Sequence, residues 1–209
     1  KILQKMYILC SDLEGVLVPE VWINVARWTG IDELKLTTRD ISDYNALMRR
    51  RLEILKQHGI TINDIQKVIS LLELMPGALD FINWLHGKVQ MVVVSDTFRE
   101  FADPLLAKMG WPVLFCHHLT IDKDGNITDF NLRQNDAKKK VVEAIQDLNF
   151  KVIAIGDSYN DISMLRQAEY GILYKPPQNV IDDNPDIKAV TSYSQLRHLV
   201  SQILEKDNL

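Results

Sequence analysis

Cysteine is scarce in this 209-residue chain, basic charge is not in excess, and no long apolar run occurs. The two cysteines, Cys10 and Cys116, lie in apolar, strand-like runs without metal-ligand spacing. They read as reduced, buried thiols, and a disulfide framework is excluded. No stretch approaches the roughly 20 apolar residues that span a bilayer. No signal-peptide pattern opens the chain, so a cytoplasmic protein is expected. Lys1 to Lys5 are expected to precede a natural start at Met6. Lys and Arg number 24 against 28 Asp and Glu, a formal net charge of −4 with no sustained basic stripe. Nucleic acid is therefore not expected as the main partner. Anionic small molecules stay admissible, because local positive charge overcomes a weak global field.

What the chain does have is acid in two short clusters. Asp12 and Glu14 follow the apolar run 6–10, and Asp157 and Asp161 follow the run 152–155. Carboxylates just past the ends of parallel strands sit at the carboxyl edge of an open α/β sheet, where such folds place their ligand crevice. Four like charges there repel one another unless a cation joins them. A hard cation with oxygen ligands, Mg²⁺ first, is expected.

Patterning divides the chain. Residues 19–74 show 3.6-residue periodicity and no strand alternation: Leu47, Leu52, Ile54 and Leu55 mark one helix closed by His58-Gly59, and Ile65, Val68, Ile69, Leu71 and Leu72 mark another. From Pro76-Gly77 onward, apolar runs at 89–94, 113–116, 152–155 and 171–174 alternate with helices at 78–85, 98–109 and 137–148. Strands separated by helices imply right-handed crossovers and a parallel sheet covered on both faces. Asp124-Gly125-Asn126 divides two alternating segments within 119–132 and predicts a β-hairpin. The expected fold is α/β: a Rossmann-like parallel-sheet core of residues 1–18 and 75–209, a small hairpin, and a helical cap inserted at 19–74 over the crevice. Pro176-Pro177 breaks the chain after the last strong strand.

Taken singly, each motif has a plain structural alternative. Asp12-Leu13-Glu14-Gly15 offers one carboxylate as nucleophile and a second as proton donor, but helix caps and surface loops produce such triplets too. Ser95, after the run 92–94, can hydrogen-bond a phosphate oxygen with the amides of a helix start. The alternative makes Asp96 or Thr97 a helix N-cap. Lys138-Lys139-Lys140 is by default a solvated face. Cations opening a helix oppose its macrodipole, however, so a nearby anion and one inward-pointing lysine are expected. Gly156-Asp157-Ser158-Tyr159-Asn160-Asp161 is the most specific of the motifs, with two acids able to reach one metal site.

In order, Asp12-x-Glu14-Gly15, Ser95, a lysine and Gly156-Asp157-x-x-Asn160-Asp161, each after an expected strand, resemble the haloacid dehalogenase superfamily of aspartate-nucleophile phosphotransferases over essentially the whole chain. The helical insertion resembles the cap of its phosphoserine phosphatase branch. Asp12 to Glu20, Thr38-Arg39-Asp40 and Ser95-Asp96-Thr97-Phe98 are similar to the group with both phosphoserine phosphatase and homoserine phosphotransferase activity. The resemblance implies that Asp12 attacks phosphorus while Glu14 protonates the leaving seryl oxygen. It implies Mg²⁺ held by Asp12, the Glu14 backbone carbonyl and Asp157, with Asp161 reaching it through water or orienting a ligand. Ser95 and Lys138 would bind phosphoryl oxygens, with Asn160 on the same side. Arg51 would grip the substrate carboxylate and Glu20 its ammonium; the alternative for Arg51 is a solvated face shared with Arg49 and Arg50.

Two departures agree with that bifunctional group but loosen the likeness to ordinary phosphoserine phosphatases. Glu14 stands where most of the superfamily has Asp, and Asp96-Thr97 where phosphoserine phosphatases commonly carry two glycines. His117-His118 lacks a third ligand at metal spacing. Trp22, Trp28, Trp84 and Trp111 are expected in core or cap packing, with Trp22 a candidate for the cleft wall. The resulting expectation is a cytoplasmic Mg²⁺-dependent phosphatase of O-phospho-L-serine, with homoserine as a second acceptor and a homodimer as an admissible assembly. Another small phosphomonoester, or a phosphoacceptor signalling module, is the alternative.

Overall fold

The computed structural model describes residues 6–37, 40–41 and 43–206. Residues 1–5, expected to precede the natural start, and Thr38 and Arg39 of the Thr38-Arg39-Asp40 match lie outside the described residues. Six strands run parallel: Tyr7–Ser11 (β1), Gln90–Phe98 (β2), Val113–Ile121 (β3), Lys151–Gly156 (β5), Tyr170–Tyr174 (β6) and Lys188–Val190 (β7). Ile127–Asn131 (β4) pairs antiparallel with β3 at one edge, and the spatial order is β4-β3-β2-β1-β5-β6-β7. After β1 the chain builds outward on one side, then returns to start the other side at β5. That reversal is the topological switch point at which open α/β sheets bind ligands.

Alternation along the central strands explains the two layers of the core. Leu9, Val93, Ile153 and Ile155 face one apolar cluster, and Cys10, Val94, Val152 and Ala154 face the other. Both cysteines are free and buried, and burial pushes the Cys10 thiol up to about 12. Among the described residues no helix is long and apolar enough to cross a membrane.

Between β1 and β2 lie the helices Val21–Thr29 (α1), Tyr44–His58 (α2), Ile62–Ser70 (α3) and Ala78–Leu85 (α4). Asp43 caps α2 by accepting from the Asn45 and Ala46 amides, and Gly59 closes it in the left-handed region. Thr61 and Asp64 form a reciprocal capping box at the start of α3. The helices of residues 21–70 share an apolar core with one face of the sheet. The Tyr44 hydroxyl donates to the Asp96 carbonyl at 3.1 Å, and the Ile62 amide to the Gly125 carbonyl at 2.9 Å. Later helices are Arg99–Lys108 (α5), Ala137–Asp147 (α6), Ile162–Gln167 (α7), Gln178–Asp183 (α8) and Tyr193–Lys206 (α9).

Several expectations shift. β2 continues through Phe98 instead of ending at residue 94, because pairing with β3 resumes at Phe98–His117 after a register shift. The hairpin forms, but its first arm is the far end of β3. Leu71 is 76% exposed, since α3 ends at Ser70 and its last apolar position turns outward. Trp28, in the last turn of α1, and Trp111, in a left-handed turn before β3, face solvent rather than the core.

Pro176-Pro177 does break the chain after β6, and the core continues beyond it. The later β7 and α9 complete the sheet and its cover. Tyr193 of α9 stacks on Tyr174 at 4.7 Å between ring centroids, and its hydroxyl donates to the buried Val16 carbonyl in the turn after β1. Tyr193→Phe keeps the stack but strands that carbonyl. It should lower unfolding free energy by about 1–2 kcal/mol in urea titration with an unchanged denaturant slope. A midpoint equal to that of the wild type would show that this bond contributes nothing.

Candidate active site

The two acid loops are neighbours because β1 and β5 are paired. Ser11 is in register with Ile155, and the Asp12 amide donates to the Ile155 carbonyl at 2.8 Å. Two glycines let the loops close on each other. Gly15 has φ +79, and a Cβ there would lie 2.4 Å from Asp157 Oδ2. A Cβ on Gly156 would lie 2.3 Å from that of Asp161. Both Asp-Gly contacts are therefore part of the site's construction.

Lys138 lies at the centre. It opens α6, is 2% exposed, and places Nζ 2.7 Å from Asp161 Oδ1 and 3.1 Å from Asp12 Oδ1. The other Asp161 oxygen, Oδ2, accepts from the Asp157 and Ser158 amides at 2.9 and 3.1 Å. Lys139 and Lys140 instead reach Glu143 on the helix surface. The expected inward lysine is thus Lys138, and its compensating anions are aspartates.

Asp12, Glu14, Glu20, Arg51, Ser95, Lys138, Asp157 and Asn160 line one cavity of about 240 Å³, while Asp161 is buried beside it. Ser95 and Thr97 are both buried. Neither Asp96 nor Thr97 caps α5, because the strand runs on and Phe98 occupies the cap position without a side-chain bond. Glu14 Oε2 accepts from the Val21 amide at 2.8 Å, which ties the first acid loop to the start of α1. Arg51 is buried, unlike its neighbours Arg49 and Arg50, so the solvated-face alternative fails. Its guanidinium lies 4.5 Å over the Trp22 ring, and it donates to the Leu36 carbonyl at 2.8 Å. Its Nε has no partner. Trp22 lines the cavity, as its candidate role required.

Crowding of carboxylates sets the electrostatics. Burial, then the Asp161 charge, push Asp12 well above the usual carboxylate range against the pull of Lys138. Burial and Asp161 likewise push Asp157 up to about 7. Burial raises Glu14; Glu20 is exposed at the mouth of the cavity, and desolvation on its inner side, then the Glu14 charge, push it up to about 7. Burial would lower Lys138, but Asp12, Asp161 and Asp96 outweigh it and hold the ammonium charged. Asp12, Asp157 and Asp161 each offer an oxygen within 4.8 Å of the others. This oxygen-only donor set, still short of positive charge with Lys138 in place, suits a hard divalent cation.

Two residues at the site were named in the sequence only as a helix cap and a rejected metal ligand. Asp96 lines the cavity, and His117, 3% exposed, sits 3.5 Å from it. Strand alternation carried a signal for His117: residues 117 and 119 are inward, and residues 118 and 120 outward.

Fold and site together define an enzyme of the open α/β class, with its crevice at the carboxyl edge of a parallel sheet. The family model of haloacid dehalogenase-like hydrolases matches residues 10–169. A Pseudomonas aeruginosa protein named phosphoserine phosphatase ThrH is 50% identical over 192 residues, covering 92% of this chain and 94% of that relative. A phosphoserine phosphatase of Pseudomonas syringae pv. tomato is 48% identical over 91% of this chain and 80% of its own length. A solved structure described as a phospho-aspartyl intermediate analogue of phosphoserine phosphatase matches in fold, with a TM-score of 0.77, 23% identity, and coverage of 95% of this chain and 99% of its own. The chain belongs to the haloacid dehalogenase-like hydrolases.

The raised carboxyls give the metal-free protein a defined pH response. Asp157 keeps its proton in the folded chain up to about pH 7, whereas an unfolded Asp loses it near pH 4, at about 3.9. The folded state binds more protons across that window, so this group's contribution to stability is full below it and is lost as pH rises through it. In chelator, the urea midpoint should be higher at pH 5 than at pH 8, and a divalent cation should restore more at pH 8. A chelated midpoint that climbs over that interval would contradict the assigned crowding.

Proposed function

We propose that this protein is a Mg²⁺-dependent phosphatase that hydrolyses O-phospho-L-serine through an aspartyl phosphate on Asp12, with homoserine as a second acceptor. The observation that carries the proposal is the position of Asp12. Its carboxylate stands at a strand end beside a buried lysine, in a cavity whose wall carries an arginine with a free Nε. The relatives named phosphoserine phosphatase, at 50% and 48% identity, support this substrate.

In the proposed mechanism Asp12 attacks phosphorus and the bond from phosphorus to the seryl oxygen breaks. Glu14, whose raised pKa favours a retained proton, gives that proton to the departing oxygen. The resulting Glu14 carboxylate then takes a proton from water, whose oxygen attacks phosphorus and frees the Asp12 carboxylate and phosphate. A homoserine hydroxyl entering in place of that water yields the phosphorylated alcohol. Ser95 and Lys138 bind phosphoryl oxygens, and Asn160 closes the same side. Arg51 takes the substrate carboxylate as a planar, bidentate donor, and Glu20 takes the ammonium.

Asp12, Asp157 and the Glu14 carbonyl would hold Mg²⁺. The ion supplies charge neutralisation for the phosphoryl group. Asp161, with its oxygens committed to Lys138 and two amides, orients the loop. Residues 19–74 act as a cap over the core of residues 1–18 and 75–209, and their closure sets how water competes with an alcohol. A cytoplasmic setting accords with two unpaired, buried thiols.

Two experiments test the proposal. Asp12→Asn should lower kcat by roughly 10⁴-fold or more, and no acid-stable phosphoenzyme should be trapped on the variant. Retained turnover or labelling would remove Asp12 as nucleophile, and a wild type that releases one phosphate per chain and stops would point to a signalling module. Arg51→Lys should raise KM for phosphoserine about tenfold, the loss of one charged hydrogen bond. Phosphoethanolamine, which lacks the carboxylate, should respond by less than about threefold. Equal effects on both esters would dissociate Arg51 from the carboxylate and favour a different phosphomonoester.

A further inference from the structure

Asp96 and His117 take no part in the mechanism above, yet both are bonded into its machinery. Ser95 and Thr97 on β2 are buried, while Asp96 between them reaches towards β3 and α6. Its Oδ2 accepts from Asn160 Nδ2 at 3.0 Å and lies 3.7 Å from Lys138 Nζ. Its Oδ1 lies 3.5 Å from His117 Nε2. Asn160 in turn accepts from the Ser158 hydroxyl, inside the loop that bears Asp157 and Asp161. One carboxylate therefore joins three separate pieces of the site: the end of β2, the first turn of α6 and the loop after β5.

His117 is held so that it can aim that carboxylate. Its Nδ1 accepts from the Arg133 amide at 3.1 Å. A neutral imidazole that accepts at Nδ1 carries its hydrogen on Nε2, the nitrogen turned to Asp96. Lys138 has a long, flexible stem and two other carboxylates at 2.7 and 3.1 Å. Asp96 is the third carboxylate on that ammonium, at 3.7 Å, and without it only Asp161 and Asp12 would set where Nζ points. Loss of Asp96 also frees Asn160 from its anchor.

We propose that Asp96 and His117 are a positioning pair: His117 aims the Asp96 carboxylate, and Asp96 holds Lys138 and Asn160 in register with the phosphoryl group. The proposal rests on the phosphatase reading above and extends it to two residues outside the reacting set. Misplacing such groups costs rate more than substrate affinity, because phosphoryl transfer depends on alignment in the transition state.

Two amide substitutions separate the roles of the two ring nitrogens. His117→Gln keeps a donor near the Nε2 position, and His117→Asn keeps an acceptor near Nδ1 for the Arg133 amide. Steady-state kinetics on phosphoserine and on p-nitrophenyl phosphate, with unfolding midpoints for each variant, make the test. Asp96→Asn should lower kcat about 10–100-fold on both esters with KM for phosphoserine changed by less than about threefold. His117→Asn should reproduce that loss, and His117→Gln should rescue kcat to within about threefold of wild type.

The reverse order, with Asn active and Gln impaired, would mean that His117 only ties down the Arg133 segment. That result, or an unchanged kcat in Asp96→Asn, overturns the pair. Should both histidine variants unfold, Asp96→Asn at its partly exposed position decides alone. A wild type that turns over neither ester sinks the phosphatase reading itself, which distinguishes the two failures.

Discussion

A lysine buried among aspartates is the constraint on which the rest of this structure depends. Lys138 is 2% exposed and within ion-pair distance of Asp12, Asp161 and Asp96. Removing such charges from water costs several kcal/mol per ion unless geometry and hydrogen bonds compensate. The compensation comes from elements distant in sequence: two acid loops, the end of β2 and the first turn of α6. Burial first, and then the excess of negative charge that the arrangement still leaves, raise Asp12 and Asp157 rather than lower them. A crevice so balanced favours a divalent cation and an incoming phosphoryl group together, since each supplies the charge the other needs.

The sheet makes that cluster geometrically cheap. β1 and β5 are neighbours at the switch point, so carboxylates at their ends approach without distorting the strands. The close approaches fall at Gly15 and Gly156, the positions where a side chain would collide with an aspartate. On the far wall, Arg51 is braced by Trp22 and by the Leu36 carbonyl and keeps one nitrogen free. Acids at the strand ends and an arginine beside Glu14 and Glu20 on the helical side give the cavity groups of both signs. This polarity fits an amino acid ester better than a symmetrical anion.

Lys138 and Arg51 were named through the family resemblance, and helical spacing explains why each of them is buried. Lys138 precedes Val141, Val142 and Ile145 at helical spacing, so it shares their buried stripe, and Lys139 and Lys140 do not. Arg51 shares the face of Leu47, Met48, Ile54 and Leu55 in the same way. Asp96 was not legible, since the apolar run stops at Val94 and the residues after it read as a helix start. Pairing of Phe98 with His117 keeps that segment extended, and a long-range pairing of this kind leaves no local mark. Trp28 and Trp111 misled for the converse reason: large apolar side chains are expected inside, but their backbone positions face outward.

By itself the sequence determined the alternation of strands and helices, the acid-bearing loops at two strand ends and the residue types available for phosphoryl chemistry. Those features are local, set by side-chain periodicity and by turn-forming residues within a few positions of one another. Only the tertiary structure decided that β1 lies beside β5, that Asp161 faces Lys138, and that Asp96 and His117 join them. Strand order and side-chain contact arise from burying two faces of one sheet at once, an energy that belongs to the whole chain and to no segment of it.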